Sequence, residues 1–255
     1  MRMPEGIWYE KRILEGPVEA HILEVDPARA QIELARAQFL QPTSEIAQQN
    51  GAFAAVNGGF FHIGGAYAGT PSGLLKIDGR YHSTPRIERG AIGWKREEGA
   101  PLFDRIGWSG TELIPILHPE KRDPWNLCSD CIGGTPLLID DGHTITDFSP
   151  ERTRPSFLTE RHPRTAVGIK EDGHWLFVVV DGRQPTRSIG MTMGELANFM
   201  ADLGATHALN LDGGGSSTFY LDGNVLNTPS SSSEDNKQEG SQRPVSDALL
   251  IFTQN

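Results

Sequence analysis

At 255 residues the chain is long enough to bury a core without help from disulfides or a metal. Its formal net charge of -10, from 23 Lys and Arg against 33 Asp and Glu, argues against nucleic acid as a general partner, because phosphate backbones are held by a basic footprint. No apolar run approaches the length of a membrane span, and residues 1–9 lack the apolar stretch of a signal peptide, so neither a span nor a visible export leader is expected and the compartment stays open.

In chain order, residues 7–14, 18–25 and 31–37 are short β-leaning runs separated by Gly16-Pro17 and Asp26-Pro27, the punctuation of an antiparallel meander. Thr43 or Ser44 is placed to cap a short helix over 45–49, with Gly51 past its end. Residues 52–56 read as a buried strand entering Asn57-Gly58-Gly59-Phe60-Phe61. A hairpin is expected over 73–78 with its turn at Asp78-Gly79, and strands over 91–95 and 111–117, with 118–131 irregular. Cys128 and Cys131 fall in that stretch as C-S-D-C. No histidine stands close, and Gly133, Gly134 and Pro136 follow, which favours a loop pair, free or disulfide-bonded, over zinc ligation or a thioredoxin-like site.

Residues 134–139 lead into the Asp141-Gly142 turn, and 147–162 has the charge and proline content of a long loop. The clearest hairpin pairs 165–169 with 175–180, whose L-F-V-V-V run suits the middle of a sheet. Residues 192–203 form the best helix: Thr192 and Glu195 make a capping box, Leu196, Phe199, Met200 and Leu203 share one face, and Gly204 closes the end. A strand over 206–211 runs into Asp212-Gly213-Gly214-Gly215-Ser216-Ser217 and a further strand over 218–221. Residues 227–243, with four consecutive serines, read as a flexible excursion before a last strand at 248–252.

Six Asp-Gly pairs occur, at Asp78, Asp141, Asp172, Asp181, Asp212 and Asp222. Four are flanked by strand-like residues on both sides and read as hairpin turns. Asp181 and Asp212 differ, since each ends a strongly apolar strand with no immediate return strand. Two carboxylates at neighbouring strand ends are what glycoside hydrolysis uses, one as acid or base and one as nucleophile or water activator. The same pair could instead hold a divalent cation with Asn57 or Asn210 as oxygen ligands. Arg164, Arg183, Arg187 and Arg243 lie at strand edges beside these acids, which suggests bidentate recognition of phosphate or carboxylate. The amides of Gly213, Gly214 and Gly215 can complete an anion nest, whereas the P-loop pattern is missing. His162 and His62 are candidate proton carriers. Ser216 and Ser217 lack a nucleophile elbow and are read as hydrogen-bonding groups.

Seven motifs occur in order: N-G-G-F-F at Asn57, G-G-T-P-L at Gly133, H-P-R-T-A-V-G at His162, V-D-G-R at Val180, G-M-T-M-G-E-L-A at Gly190, L-N-L-D-G-G-G-S-S at Leu209 and R-P-V-S-D-A-L at Arg243. Together they resemble the phosphodiester glycosidase family, from about Val18 to the C-terminus. The resemblance implies an α+β fold with a largely antiparallel sheet and a few packed helices. It implies one domain over 1–255, with a flexible polar insertion at about 228–242. The implied activity is removal of a sugar joined through its anomeric carbon to a phosphodiester, with a small-molecule or glycan substrate and no required cofactor, a divalent cation remaining an option. Relatives of this kind are often secreted.

On this reading Asp212, Asp181 and His162 are the catalytic candidates. Asn57, Gly58, Arg164, Arg183, Asn210, Gly213, Gly214, Gly215, Ser216, Ser217 and Arg243 are the substrate-binding candidates. The competing classes are a non-catalytic module for anionic polysaccharide or an envelope polymer, and a metal-dependent phosphodiesterase that would cut P–O rather than C–O.

Overall fold

A computed structural model describes residues 3–96, 98–230 and 240–254, and the central part of the polar insertion expected at 228–242 lies outside the described residues. Three sheets carry the fold. The first runs Ile7–Leu14, Val18–Val25, Trp175–Val180, Arg164–Lys170, Ala205–Asn210, Leu137–Asp140 and His143–Thr144 in spatial order. The second runs Asn224–Val225, Phe219–Leu221, Ala54–Asn57, Val245–Thr253 and Ala30–Gln41. The third runs Arg80–Ser83, Leu75–Ile77, Asp130–Gly133, Arg89–Lys95, Glu98–Trp108 and Leu113–Pro115. Neighbours in each pair antiparallel, as at Arg164 opposite Val180 and Ala248 opposite Asn57.

One apolar cluster joins all three sheets through Leu23, Val167 and Phe177, through Leu34, Val56 and Leu249, and through Ile92, Trp94 and Ile132. The first sheet is covered on its other face by the helix Met193–Asp202, whose Leu196, Ala197 and Met200 pack on Ala166, Val178 and Val180. Its central strands are therefore buried on both faces, which is why Trp175–Val180 is apolar at every position. The helix Thr43–Asn50 covers the second sheet in the same way, with Ile46 and Ala47 against Ala55, Ala248 and Leu250. The result is a sheet-rich α+β fold.

The Met193–Asp202 helix has the expected capping box at Thr192 and Glu195. The shorter helix does not use Thr43 or Ser44 as its cap: Pro42 occupies the N-cap position, and Ser44 instead hydrogen-bonds Gln242, its N–H donating to Oε1 at 3.1 Å and its Oγ accepting from Nε2 at 2.8 Å. Stretches read as irregular are partly ordered. Arg122–Leu127 is helical with Pro124 in its first turn, Asp130–Gly133 is a strand, and Pro155–Thr159 adds a short helix. The long strand Glu98–Trp108 had no counterpart in the expected elements. Cys128 and Cys131 are buried free thiols, the second of them on a strand rather than in a loop.

Candidate functional site

The site forms where strand ends of two sheets meet. The chain leaves Ala205–Asn210 of the first sheet through Asp212, makes a single 3₁₀ turn over Gly214–Ser216, and enters Phe219–Leu221 of the second. Three distant motifs grip this crossing by main chain. Asp212 N donates to Gly58 O at 3.2 Å, Gly214 N to Pro163 O at 2.9 Å, and Arg243 N to Gly215 O at 3.3 Å. Asn57 is fully buried at the end of its strand and ties the loop from below. Its Nδ2 donates to Asp212 O at 2.7 Å, and its Oδ1 accepts from Thr165 Oγ1 at 2.7 Å and Thr218 N at 3.2 Å. A buried amide whose groups are satisfied this way fixes the geometry of the loop.

The consecutive glycines have separate physical reasons. A Cβ on Gly213 would stand 2.7 Å from Pro163 O; one on Gly214, where φ is +63°, would stand 3.0 Å from Arg183 Nη2; one on Gly215 would stand 2.7 Å from Arg243 Nη2. So the first admits the neighbouring main chain, and the other two let a pair of guanidinium groups settle against the loop.

Between those arginines and the strand ends lies Asp212. Its Oδ1 accepts from Gly213 N at 2.9 Å and its Oδ2 from Ser216 Oγ at 2.7 Å. Burial pushes its pKa up to about 6; Ser216 and Arg243 pull it down, and the carboxylate of Asp247 pushes it up. Asp247 is therefore the acid whose charge Asp212 feels. It is 1% exposed, accepts Gly59 N at 2.8 Å, and is likewise pushed up to about 6 by burial, with Ser246, Gly59 and Arg36 opposing. Gly58 has no Cβ for the same reason, since one would stand 2.0 Å from Asp247 Oδ1. Asp247 was not among the residues singled out from sequence. The available signal was an acid inside the apolar run V-S-D-A-L-L-I, where a buried charge needs a reason.

Arg183 adopts φ +63° just after Asp181-Gly182 and donates to Ser230 O at 3.4 Å. Burial and Arg243 lower its pKa, while Asp212 raises it. Two cations and a carboxylate thus meet at one loop of glycine backbone. That is an arrangement for a doubly coordinated anion with an acid or base at its edge.

The remaining candidates are placed differently. Arg164 is fully buried: Nε donates to Met191 O at 2.8 Å, Nη2 to Phe157 O at 2.8 Å and Glu160 O at 2.9 Å, and the guanidinium lies 4.7 Å from the Phe157 ring centroid. Its Nη1 is buried without a hydrogen-bond partner, and burial together with Arg183 lowers its pKa to about 10. Asp181 is 1% exposed and accepts from Asn227 Nδ2 at 2.9 Å and from Thr228 N at 3.1 and 2.9 Å. Its pKa rises to about 6 through burial, but Glu19 rather than Asp212 is the neighbouring acid.

His162 pairs by main chain with Met191, has a buried Nδ1 without a partner, and is lowered in pKa by burial, Arg164 and Arg183. Asn210 Nδ2 donates to Thr135 O at 2.7 Å and Leu211 O at 2.8 Å. Ser217 Oγ accepts from Thr165 Oγ1 at 3.3 Å. Among the described residues, the groups compact enough to hold an ion are Glu19, His21 and Asp181, and Glu24, Asp172 and His174; Asp212 is in neither. In the first, Glu19 is already matched by Arg187 at 2.8 Å and Lys11 at 2.6 Å.

Residues 50–252 match the family model of the phosphodiester glycosidases. The chain belongs to that family. It is 31% identical over 137 residues to mouse N-acetylglucosamine-1-phosphodiester alpha-N-acetylglucosaminidase, the alignment covering 50% of this chain and 26% of the mouse protein. The human enzyme of the same name is 30% identical over the same length. The chain thus matches about a quarter of the length of these relatives. Among solved structures, the zebrafish catalytic domain of that enzyme, auto-inhibited by its pro-peptide, superposes with a TM-score of 0.72 at 22% identity, over 97% of this chain and 82% of that one. A Synechocystis protein of the same fold gives 0.73 at 20% identity, over 98% and 62%.

Proposed function

We propose that this phosphodiester glycosidase domain hydrolyses the bond between the anomeric carbon of a sugar and a phosphodiester oxygen. The observation that carries the reading is the seating of Arg183 and Arg243 on the bare faces of Gly214 and Gly215, with the Asp212 carboxylate beside them. Two guanidinium groups bind the phosphodiester and take up the charge that gathers on it as it departs, while the amides of Gly213 and Gly214, expected from sequence to form an anion nest, are committed to Asp212 and Pro163. A phosphate monoester is already a good leaving group, so strong protonation is unnecessary. The C1–O bond breaks with its electron pair going to phosphate, water supplies the new oxygen on C1, and the proton it gives up passes to the carboxylate pair.

In this reading Asp212 assists attack at the anomeric carbon and Asp247 is the second carboxylate, in the place that sequence spacing assigned to Asp181. Asp181 instead holds the segment at Asn227 and Thr228 that leads over Arg183. Arg164 and Asn57 position the loop, and His162 lies at the arginine side as an orienting group. Replacing Asp212 by Asn tests the assignment: turnover of a sugar-1-phosphodiester should fall by about a thousandfold or more with the fold retained. Near-normal turnover would remove Asp212 from the chemistry.

A further inference from the structure

At Phe60 and His62, just after the N-G-G turn that holds Asp247, the chain enters the wall of a cavity of about 330 Å³ whose described lining contains neither Asp212 nor Asp247. Its wall is continuous with the site. Gly133 and Gly134 line it, and behind them a Cβ on Gly134 would stand 2.2 Å from Asn210 O and one on Gly59 3.0 Å from Gly133 O. Phe60, which lines the cavity, follows directly on Gly59, whose N–H is bound to Asp247. At the rim, His82 Nδ1 is 3.3 Å from Arg36 Nη1, and Arg36 is the cation that Asp247 feels from the neighbouring strand.

Among the described residues the lining has one sign of charge. None of the 20 described residues that line it is Asp or Glu, whereas Arg86, Arg89, His62 and His82 all face it, in a chain with 33 acidic residues and 23 basic ones. Arg89 is held through Nε by Glu151 O at 3.2 Å, and Arg86 is exposed and has no hydrogen bond or ion pair among the described residues. Thr70, Ser72, Ser83 and Thr84 add hydroxyls. Tyr67, 61% exposed, stands at the mouth with its ring 6.0 Å from that of His62. A ring face, several hydroxyls and free guanidinium nitrogens in a space of this size fit a sugar ring bearing an anionic group.

We infer that this cavity is a carbohydrate subsite, and that the moiety it takes is a hexose carrying an anionic group, phosphate or carboxylate, received by Arg86. The inference rests on the proposed cleavage reading for its meaning but is tested by binding alone. Titration calorimetry with glucose 6-phosphate, glucuronate, glucose and inorganic phosphate, on the Asp212→Asn chain, compares the two charged sugars with the neutral sugar and the bare anion. Glucose 6-phosphate, glucuronate or both should bind at least tenfold more tightly than glucose and than inorganic phosphate, and which of them does so names the anion. Adding Arg86→Gln should weaken the charged sugar about tenfold while changing glucose less than twofold, and Tyr67→Ala should weaken charged and neutral sugars alike. Equal binding of all four ligands, no binding of either charged sugar, or indifference of the charged sugar to Arg86→Gln overturns the inference. A failure of the cleavage reading appears elsewhere, as absence of product from any sugar-1-phosphodiester with the unmutated chain, and leaves this binding result readable.

Discussion

Asp181 and Asp212 look alike in sequence and part company in space. Both end central strands of the seven-stranded sheet, both precede glycine, and burial pushes both up to about 6. Asp181 spends its oxygens on Asn227 and on the main chain of Thr228, next to Glu19 and Arg187. Asp212 is held by its own loop, through Gly213 and Ser216, and faces Arg183, Arg243 and a second carboxylate. A raised pKa at a strand end therefore does not tell the two apart. The neighbouring charges and the bare glycine faces do.

The sharpest way to break this contrast is to exchange each acid for its isostere. Asp212→Asn should abolish measurable turnover, and Asp247→Asn should lower kcat by about a hundredfold or more. Asp181→Asn should keep kcat within about tenfold, because its oxygens are committed to Asn227 and Thr228 rather than to the glycine loop. Equal loss of kcat in Asp181→Asn and Asp247→Asn would erase the distinction.

The arginines offer a graded version. Arg243→Lys and Arg183→Lys keep the charge and lose the fork, so steady-state kinetics should show kcat/KM down by about ten- to a hundredfold. Arg164→Lys should act mainly on folding, costing about 2–4 kcal/mol in denaturant melts, because its guanidinium is committed to three backbone carbonyls. If Arg164→Lys instead raised KM with unchanged stability, its unpaired Nη1 would be reaching substrate.

The smallest effects concern pH, where activity and stability should move in opposite directions. Activity needs an ionised carboxylate in the Asp212–Asp247 pair, so kcat/KM should fall as pH drops through about 6. For stability, a carboxyl raised from 3.8 to about 6 binds protons more tightly in the folded chain, so its contribution is most favourable below 3.8 and is lost as pH rises through about 6. Asp212→Asn should therefore be more stable than the unmutated chain at pH 7, by at most about 3 kcal/mol, and no more stable at pH 3. Glu19, lowered to about 2 chiefly by Arg187, and His21, lowered to about 4 chiefly by burial, act the other way and favour folding toward neutral pH. The comparison between variant and unmutated chain cancels them.

Much of this arrangement was legible in the residues. The apolar strand Trp175–Val180, the capping box at Thr192, and the glycine loop after Asn210 each have a local physical signature, and each stands where that signature places it. Of the Asp-Gly turns, Asp78, Asp141 and Asp222 adopt positive φ together with their glycines, as two-residue hairpins demand. The strand Glu98–Trp108 was illegible because Gly99, Pro101 and Gly107 interrupt it and its charges blur the alternation; its place is fixed by pairing with Arg89–Lys95 and Leu113–Pro115. The acid proposed as the partner of Asp212 was hidden for a related reason. Asp247 sits 35 residues further along the chain, and only the pairing of Val245–Thr253 with Ala54–Asn57 brings it to the N-G-G turn. The surroundings of Arg164 were equally hidden: an arginine beside a candidate acid suggests an anion, and only the fold shows Nε and Nη2 on carbonyl oxygens with Nη1 left unpartnered.

The central claim is that the loop at Asp212 directs water to the anomeric carbon and lets the phosphate leave intact. Hydrolysis of a sugar-1-phosphodiester in ¹⁸O-enriched water, followed by mass analysis of both products, tests it directly. The account predicts the heavy oxygen on C1 of the released sugar, and none in the phosphate monoester; label in the phosphate, with none on the sugar, would contradict it.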